Sequence, residues 1–323
     1  MSDPSVVADG ILVDVGIPTH GRPAYLAEAI ESVRRQTFSS WRLTISENGP
    51  GSDYVAGIVE PHLSSPRVQY VKTGTNLGAA RNATRLIQTG SAPFVAILND
   101  DDRWDPEFLA RRVAFLEANP TCALVFSRCD FIDGAGSVLY RYEIELPEGP
   151  QNEEAFLRTL YSRCVICMPT VLVRRWAYTD VGPFKESVLF YDHELWLRIA
   201  ARFPVGFLST CDAQYRVHRS QTTQQKVRLH VGEHKLEVLD EAENILPPDF
   251  PQLERRRARF VALTRAGLDA FGRGQRRGGI AWLARAIRAH PAAPVDPEIA
   301  TRVFRRLSQH AQDREFWSVG LTR

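Results

Sequence analysis

The chain has 323 residues, 44% of them hydrophobic, and a net charge of +2, which exceeds one small core and fits an ordinary globular protein of one large domain plus an extension. The charge is unevenly spread: residues 251–323 carry 15 Lys/Arg against 6 Asp/Glu, and residues 1–250 carry 25 against 32. The first part therefore suits chemistry that recruits cations. The basic tail suits either an anionic partner such as a phospholipid surface or Arg-rich helix faces standing in solvent, and no nucleic-acid partner is expected.

Taken in chain order, the first 100 residues alternate strand-like and helix-like segments. Ile11–Ile17 is short, apolar and β-branched, and Pro23 opens a helix whose Leu26, Ile30 and Val33 share one face. Trp41–Ser46 and Val68–Lys72 read as strands, with Gly78–Gln88 as a helix and Pro93–Leu98 as a strand apolar on both faces. Asp105-Pro106-Glu107 then reads as a helix cap, a first-turn proline and a first-turn acid. Further on, the turn at 133–136 separates strands Ala123–Phe131 and Val138–Tyr142, and Thr170–Val173 is a strand. Glu153–Tyr161 and Asp192–Ala201 are helices, and almost everything from Gln225 onward is helical. In that tail Phe260, Leu263, Gly267 and Phe271 lie along one face, and Ile280, Leu283 and Ile287 along another.

This order implies βαβ units and a mostly parallel sheet covered by helices. Ligands of such sheets collect at the carboxyl ends of the strands. Pro18-Thr19-His20, Glu47-Asn48 and Asn99 to Asp102 should therefore converge on one crevice. The division expected is a catalytic domain over 1–222 and a basic helical extension over 223–323, the latter also a candidate homodimer surface. No segment of 18 apolar residues exists, and residues 1–10 lack a basic stretch followed by an apolar run. A cytoplasmic protein without signal peptide or membrane span is expected. Five cysteines suit reduced thiols, and Cys164 and Cys167, a CxxC without a second pair, read as buried structural thiols rather than zinc ligands.

Four constellations carry chemistry. Asp100, Asp101 and Asp102 follow an apolar strand, where a hard divalent cation would relieve their mutual repulsion; the alternative is a solvated acidic turn. Asn76-Leu77-Gly78 with Arg81 opens a helix whose free N–H groups suit a diphosphate, or Asn76 simply caps that helix. Asp192 begins an amphipathic helix as a general base or as a plain N-cap. His218, in Tyr215-Arg216-Val217-His218, is a structural imidazole or a metal or diphosphate contact.

The motifs IPTHGRPAYLAEAIESVRRQTFSSWRLTISENG, TNLGAARN, FVAILNDDDRWDPEFL, YDHELWLR and YRVH, in this order, resemble the family 2 glycosyltransferases of the GT-A fold across roughly residues 11–220. The resemblance implies an inverting transfer from a nucleoside diphosphate sugar, UDP- or dTDP-linked, assisted by Mg²⁺ or Mn²⁺. It places Pro18 and Thr19 at the base pocket, Glu47 or Asn48 on the pyrimidine and ribose, and Arg22, Asn76 and Arg81 on ribose and phosphates. Asp100 would contact the ribose, Asp101 the metal with Asp102 beside it, and His218 the metal or diphosphate, while Asp192 matches the catalytic base. Asn99 replaces the first acid of the family's DxDD pattern and Tyr191 the acid that often precedes the base. The implied acceptor is a hydroxyl of a glycan or of a lipid-linked sugar in cell-surface polysaccharide assembly, reached at the inner face of the membrane if the basic tail docks there. A metal-dependent nucleotidyltransferase and a non-catalytic sugar-nucleotide scaffold remain as alternatives; the first would need more of a glycine-rich basic phosphate loop than Gly21-Arg22.

Overall fold

The computed structural model describes residues 10–20, 23–218, 221 and 229–299. In chain order its main elements are β1 (Val13–Thr19), α1 (Pro23–Arg34), β2 (Trp41–Glu47), α2 (Asp53–Val59), β3 (Val68–Lys72), α3 (Ala79–Thr89), β4 (Phe94–Ile97), β5 (Arg103–Trp104), α4 (Phe108–Ala118), β6 (Leu124–Ile132), β7 (Val138–Tyr142) and β8 (Gly149–Pro150). There follow α5 (Glu153–Ser162), β9 (Leu172–Arg174), α6 (Arg175–Val181), α7 (Tyr191–Ala200), β10 (Val205–Arg216), α8 (Val231–Ala242), α9 (Gln252–Gly272) and α10 (Arg276–Ala289). Two compact units result. The first comprises the described parts of Met1–Leu157, Cys164–Ser187 and Tyr191–Arg216, and the second those of Arg158–Arg163, Val188–Phe190 and Val217–Arg323.

The strands of the first unit form one sheet in the order β3-β2-β1-β4-β9-β6-β10-β5, with β7 on β6 and β8 on β10. Its first half is parallel: β1 pairs with β2 and β4, and β2 with β3. In the second half β9 runs antiparallel between β4 and β6, so the parallel order expected from the sequence stops there. β4 lies inside the sheet, paired to β1 and β9 at its edges, and all four of its apolar residues are buried. Gly16 permits close helix packing: a Cβ there would sit 2.9 Å from both Leu86 of α3 and Ile97 of β4.

Asp105 does not cap the following helix, which starts only at Phe108. The buried side chain of Gln36 takes that role from a distance, accepting from the Leu109 N–H at 2.9 Å while donating to the Asp105 carbonyl at 2.7 Å. Residues 168–170 form a 3₁₀ turn, so the strand predicted over 170–173 is confined to β9. Cys122 and Cys129 are buried thiols, whereas Cys164 and Cys167 are only partly buried because they lie on irregular chain before that turn.

In the second unit α9 packs against α8 and α10 through small residues. A Cβ on Gly232 would lie 2.0 Å from the Ala266 nitrogen, and one on Gly279 would lie 2.8 Å from the Phe271 ring. Gly279 and Ala286 are the buried residues of α10, while Ile280 and Ile287 are 62% and 58% exposed.

Candidate active site

Three strand ends are tied into one crevice by side-chain bonds that the fold makes unavoidable. Thr19 and Glu47 are register partners across β1 and β2. Thr19 Oγ1 donates to Asp100 Oδ2 at 2.7 Å, and the His20 N–H adds a longer bond of 3.3 Å to the same oxygen. From β2, the Asn48 N–H donates to the Thr19 carbonyl at 2.9 Å and its carbonyl meets His20 Nδ1 at 2.8 Å. Pro18, partly buried, leads into this corner opposite Ser46.

The segment before α3 is fastened to the same corner. Asn48 Oδ1 accepts from the Leu77 N–H at 2.7 Å, and its amide donates to Asn76 Oδ1 at 3.1 Å. Asn76 also accepts from the Gly78 N–H, so its side chain shapes the approach to the helix, while Gly78 itself is the N-cap with φ of 84°. That region of φ is open to glycine and strained for other residues. No side chain caps this end, and an uncapped helix N-terminus suits an anion. Arg81 stands in this turn, exposed, 3.7 Å from Glu186. Glu47 is buried and accepts from Ser52 Oγ at 3.0 Å and from the Tyr70 hydroxyl, whose pKa is pushed far up by burial and then by this bond. Of the base-pocket candidates, Glu47 thus braces β2 from behind, and Asn48 links two loops.

Asp100, Asp101 and Asp102 are all buried. Asn99, where the family pattern has an acid, donates its amide to Asp102 Oδ2 at 2.9 Å. Asp102 Oδ1 accepts from the Arg216 N–H at 2.9 Å. Burial, then the neighbouring Asp101 charge, pushes the Asp102 pKa well above the usual carboxylate range, against the opposing pull of those two hydrogen bonds. The sequence reading assigned no role to Arg216. It is completely buried at the end of β10; its Nε donates to the Asp101 carbonyl at 2.8 Å, one terminal nitrogen to the Gly134 carbonyl at 3.2 Å and the other to Glu28 Oε2 at 2.6 Å. The guanidinium also covers the Tyr25 ring at 4.5 Å. Its only sequence signal was a charged residue closing a strand of mixed burial.

Asp192 lies in the first turn of α7. The residue is partly exposed, yet burial of its carboxyl raises its pKa, and the His193 N–H bond to Oδ1 at 2.8 Å offsets part of that shift. The Cys167 thiol pKa is pushed far up by contact with the Cys129 thiol and by burial, with lesser contributions from the charges of Asp192 and Asp102. Tyr191, in place of the expected acid, packs edge-on against Phe184 with ring centroids 5.2 Å apart. His218 belongs to the second unit, and Arg22 lies outside the described residues.

Among the described residues, no three His, Cys, Asp or Glu side chains form a ready-made metal cage. The acid run nevertheless fits a divalent ion that takes part of its coordination from ligand phosphates and water: its oxygens are hard donors, and buried neighbouring carboxylates gain from a cation.

The α/β sheet thus brings a buried acid run and the approach to a helix N-terminus to its strand ends. Residues 14–180 match the model of the family described as Glycosyl transferase family 2, and the chain belongs to that family of glycosyltransferases. It is similar to the putative colanic acid biosynthesis glycosyl transferase WcaA of Escherichia coli, with 23% identity over 59% of this chain and 67% of the relative. It is also similar to the UDP-Glc:alpha-D-GlcNAc-diphosphoundecaprenol beta-1,3-glucosyltransferase WfgD of Escherichia coli, with 22% identity over 68% and 83%. Among solved structures, S. aureus TarS 1-349 in complex with UDP-GlcNAc superposes with a TM-score of 0.66 at 17% identity, covering 86% of this chain and 81% of that one. The mannosyltransferase PcManGT of Pyrobaculum calidifontis in complex with GDP-Man and Mn²⁺ gives 0.59 at 16% identity, covering 98% and 85%. At these identities the two structures establish the fold, which is the GT-A α/β fold expected from the sequence.

Proposed function

We propose that the protein transfers a sugar, with inversion, from a UDP- or dTDP-sugar to a hydroxyl of a glycan or lipid-linked acceptor in cell-surface polysaccharide assembly. The observation that carries this is the buried run Asp100–Asp102 at the strand ends, within the stretch 14–180 that matches the glycosyltransferase family. WfgD, named for a UDP-Glc donor and a diphosphoundecaprenol-linked acceptor, and WcaA, named for colanic acid biosynthesis, support the donor and pathway class.

Within this reading Thr19, Asn48 and Asn76 hold the nucleoside corner, and the first turn of α3 with Arg81 receives the diphosphate. Asp100 meets the ribose from its anchor on Thr19. Asp101 holds Mg²⁺ or Mn²⁺ with Asp102 behind it, and a bound ion there neutralises charge building on the diphosphate as it departs. Asp192 takes the proton from the acceptor hydroxyl, whose oxygen attacks the anomeric carbon from the face opposite the diphosphate. A carboxyl raised in pKa by burial is a better match for that proton than an ordinary one.

Calorimetry with UDP- and dTDP-sugars, with Mn²⁺ and with chelator, tests the donor assignment. Donor binding is expected to need the metal and to be lost in Asp101→Ala; chelator-insensitive binding that survives Asp101→Ala would refute the metal role. For the acceptor side, α10 exposes Ile280 and Ile287 on a helix that also carries Arg276, Arg277 and Arg288, the composition of a helix that lies on an anionic membrane. Sedimentation with vesicles is expected to pellet the protein with anionic lipid and leave it in solution with zwitterionic lipid.

A further inference from the structure

Beside the strand-end crevice, the first unit holds a cavity of about 360 Å³ between α3 and the segment 183–186. Its α3 wall presents Arg81, Thr84, Arg85 and Gln88, the spacing of a single helix face. The Arg81–Glu186 pair on its rim is solvent-exposed and loose. Arg85 is different. It is only partly exposed, and its guanidinium has no ion pair or hydrogen bond among the described residues. A partly buried guanidinium in a concave wall whose one carboxylate, Glu186, pairs with Arg81 instead is well placed to gain from a phosphate, through short charge-assisted bonds.

The opposite wall is held rigidly. Glu194, fully buried, grips Arg198 through both carboxylate oxygens at 2.8 and 2.9 Å. Arg198 in turn donates to the carbonyls of Val181, Gly182 and Pro183. Gly182, with φ of 84°, makes the turn that these bonds lock. The Phe184 N–H then donates to Thr84 Oγ1 at 3.2 Å, joining the two walls. Leu77, whose N–H is held by Asn48, also lines the cavity. Phe184, another lining residue, packs against Tyr191, the residue before Asp192. The cavity thus shares Leu77 with the segment held by Asn48 and, through Phe184, borders the residue before Asp192.

We propose that this cavity is an acceptor subsite for a phosphate-bearing group, with Arg85 as its anchoring cation. The proposal rests on the transferase reading above and names the chemistry of its acceptor. Arg81 on the rim belongs to the donor reading above, whereas Arg85 and Gln88 have no part in it, so an Arg85 variant separates acceptor from donor effects.

The test is calorimetric titration of dodecyl phosphate into protein saturated with UDP and Mn²⁺, with dodecyl glucoside as the neutral control. Wild type is expected to bind dodecyl phosphate, and Arg85→Gln to bind it about tenfold more weakly while holding UDP as wild type does. Glu186→Gln, which removes a carboxylate from the rim, is expected to bind it about threefold more tightly. Binding of dodecyl phosphate to the protein without UDP but not to the UDP-saturated protein would reassign the phosphate to the donor corner. Inorganic phosphate binding as tightly as dodecyl phosphate would reduce the cavity to a free-anion site. Equal affinity of wild type and Arg85→Gln, or of the phosphate and the glucoside, would remove the subsite. Failure of wild type to bind UDP would instead overturn the transferase reading.

Discussion

Asp192→Asn is expected to lower sugar transfer by about a hundred- to ten-thousand-fold, the range that a positioned general base contributes, with UDP-sugar affinity unchanged. Asparagine keeps the shape and can still accept the His193 N–H bond seen at 2.8 Å, so the start of α7 should persist. The pH dependence follows from the direction of the shift. Burial raises the Asp192 pKa, and only the deprotonated carboxylate takes a proton, so turnover should rise with pH through a value above the ordinary carboxylate range. For stability the sign is reversed. A carboxyl whose folded pKa exceeds its unfolded pKa favours the fold at pH below the unfolded value, and that contribution is lost as pH rises through the interval to the folded value. At neutral pH the ionised side chain is therefore a burden, and Asp192→Asn should melt at the same or a higher temperature than wild type. A variant that keeps near-normal turnover would remove Asp192 from the base position.

Arg216→Ala is expected to cost about 3–5 kcal/mol in urea unfolding, as for removal of a large buried side chain whose polar partners stay behind. The variant loses the bonds to the Asp101 and Gly134 carbonyls, the pair with Glu28 and the cover over Tyr25. The bond from the Arg216 N–H to Asp102 belongs to the backbone and is formally retained, so loss of donor binding in this variant would report displacement of the acid run rather than removal of a ligand contact. Arg216→Lys keeps the charge without the planar fork and should recover only part of the stability. Wild-type stability in Arg216→Ala would show that the acids hold their places without this buckle.

The parallel half of the sheet was legible because each of its strands is short, apolar and bounded by a turn or helix signal, and because period and length agree from Ile11 to Leu98. The crevice followed from topology, since residues after three parallel strands meet at one edge. What the sequence withheld depends on partners far away along the chain. Gln36 caps a helix that starts 72 positions later, and no local pattern announces it. Arg216 reaches Glu28 across 188 positions, so within YRVH it resembles any surface arginine. Asn99 looked like a break in an acidic motif; with its amide on Asp102 it is a hydrogen-bond donor among acids, which adjoining residue types alone do not reveal. The antiparallel insertion of β9 escaped for a similar reason: three residues of strand following a 3₁₀ turn carry too little periodicity to fix a direction. Ile280 and Ile287 of α10, on the apolar face read from the sequence, point outward because glycine and alanine provide the closer helix contact.

The most direct test of the central claim is a turnover assay: purified protein, a mixture of UDP- and dTDP-sugars, Mn²⁺ and a bacterial membrane lipid extract as acceptor, with products read by mass spectrometry. One acceptor species should gain the mass of a single sugar residue, with release of the matching nucleoside diphosphate, and no gain in chelator or with Asp192→Asn. Formation of a nucleoside diphosphate sugar from a nucleoside triphosphate and a sugar phosphate, with no sugar reaching any acceptor, would contradict that claim.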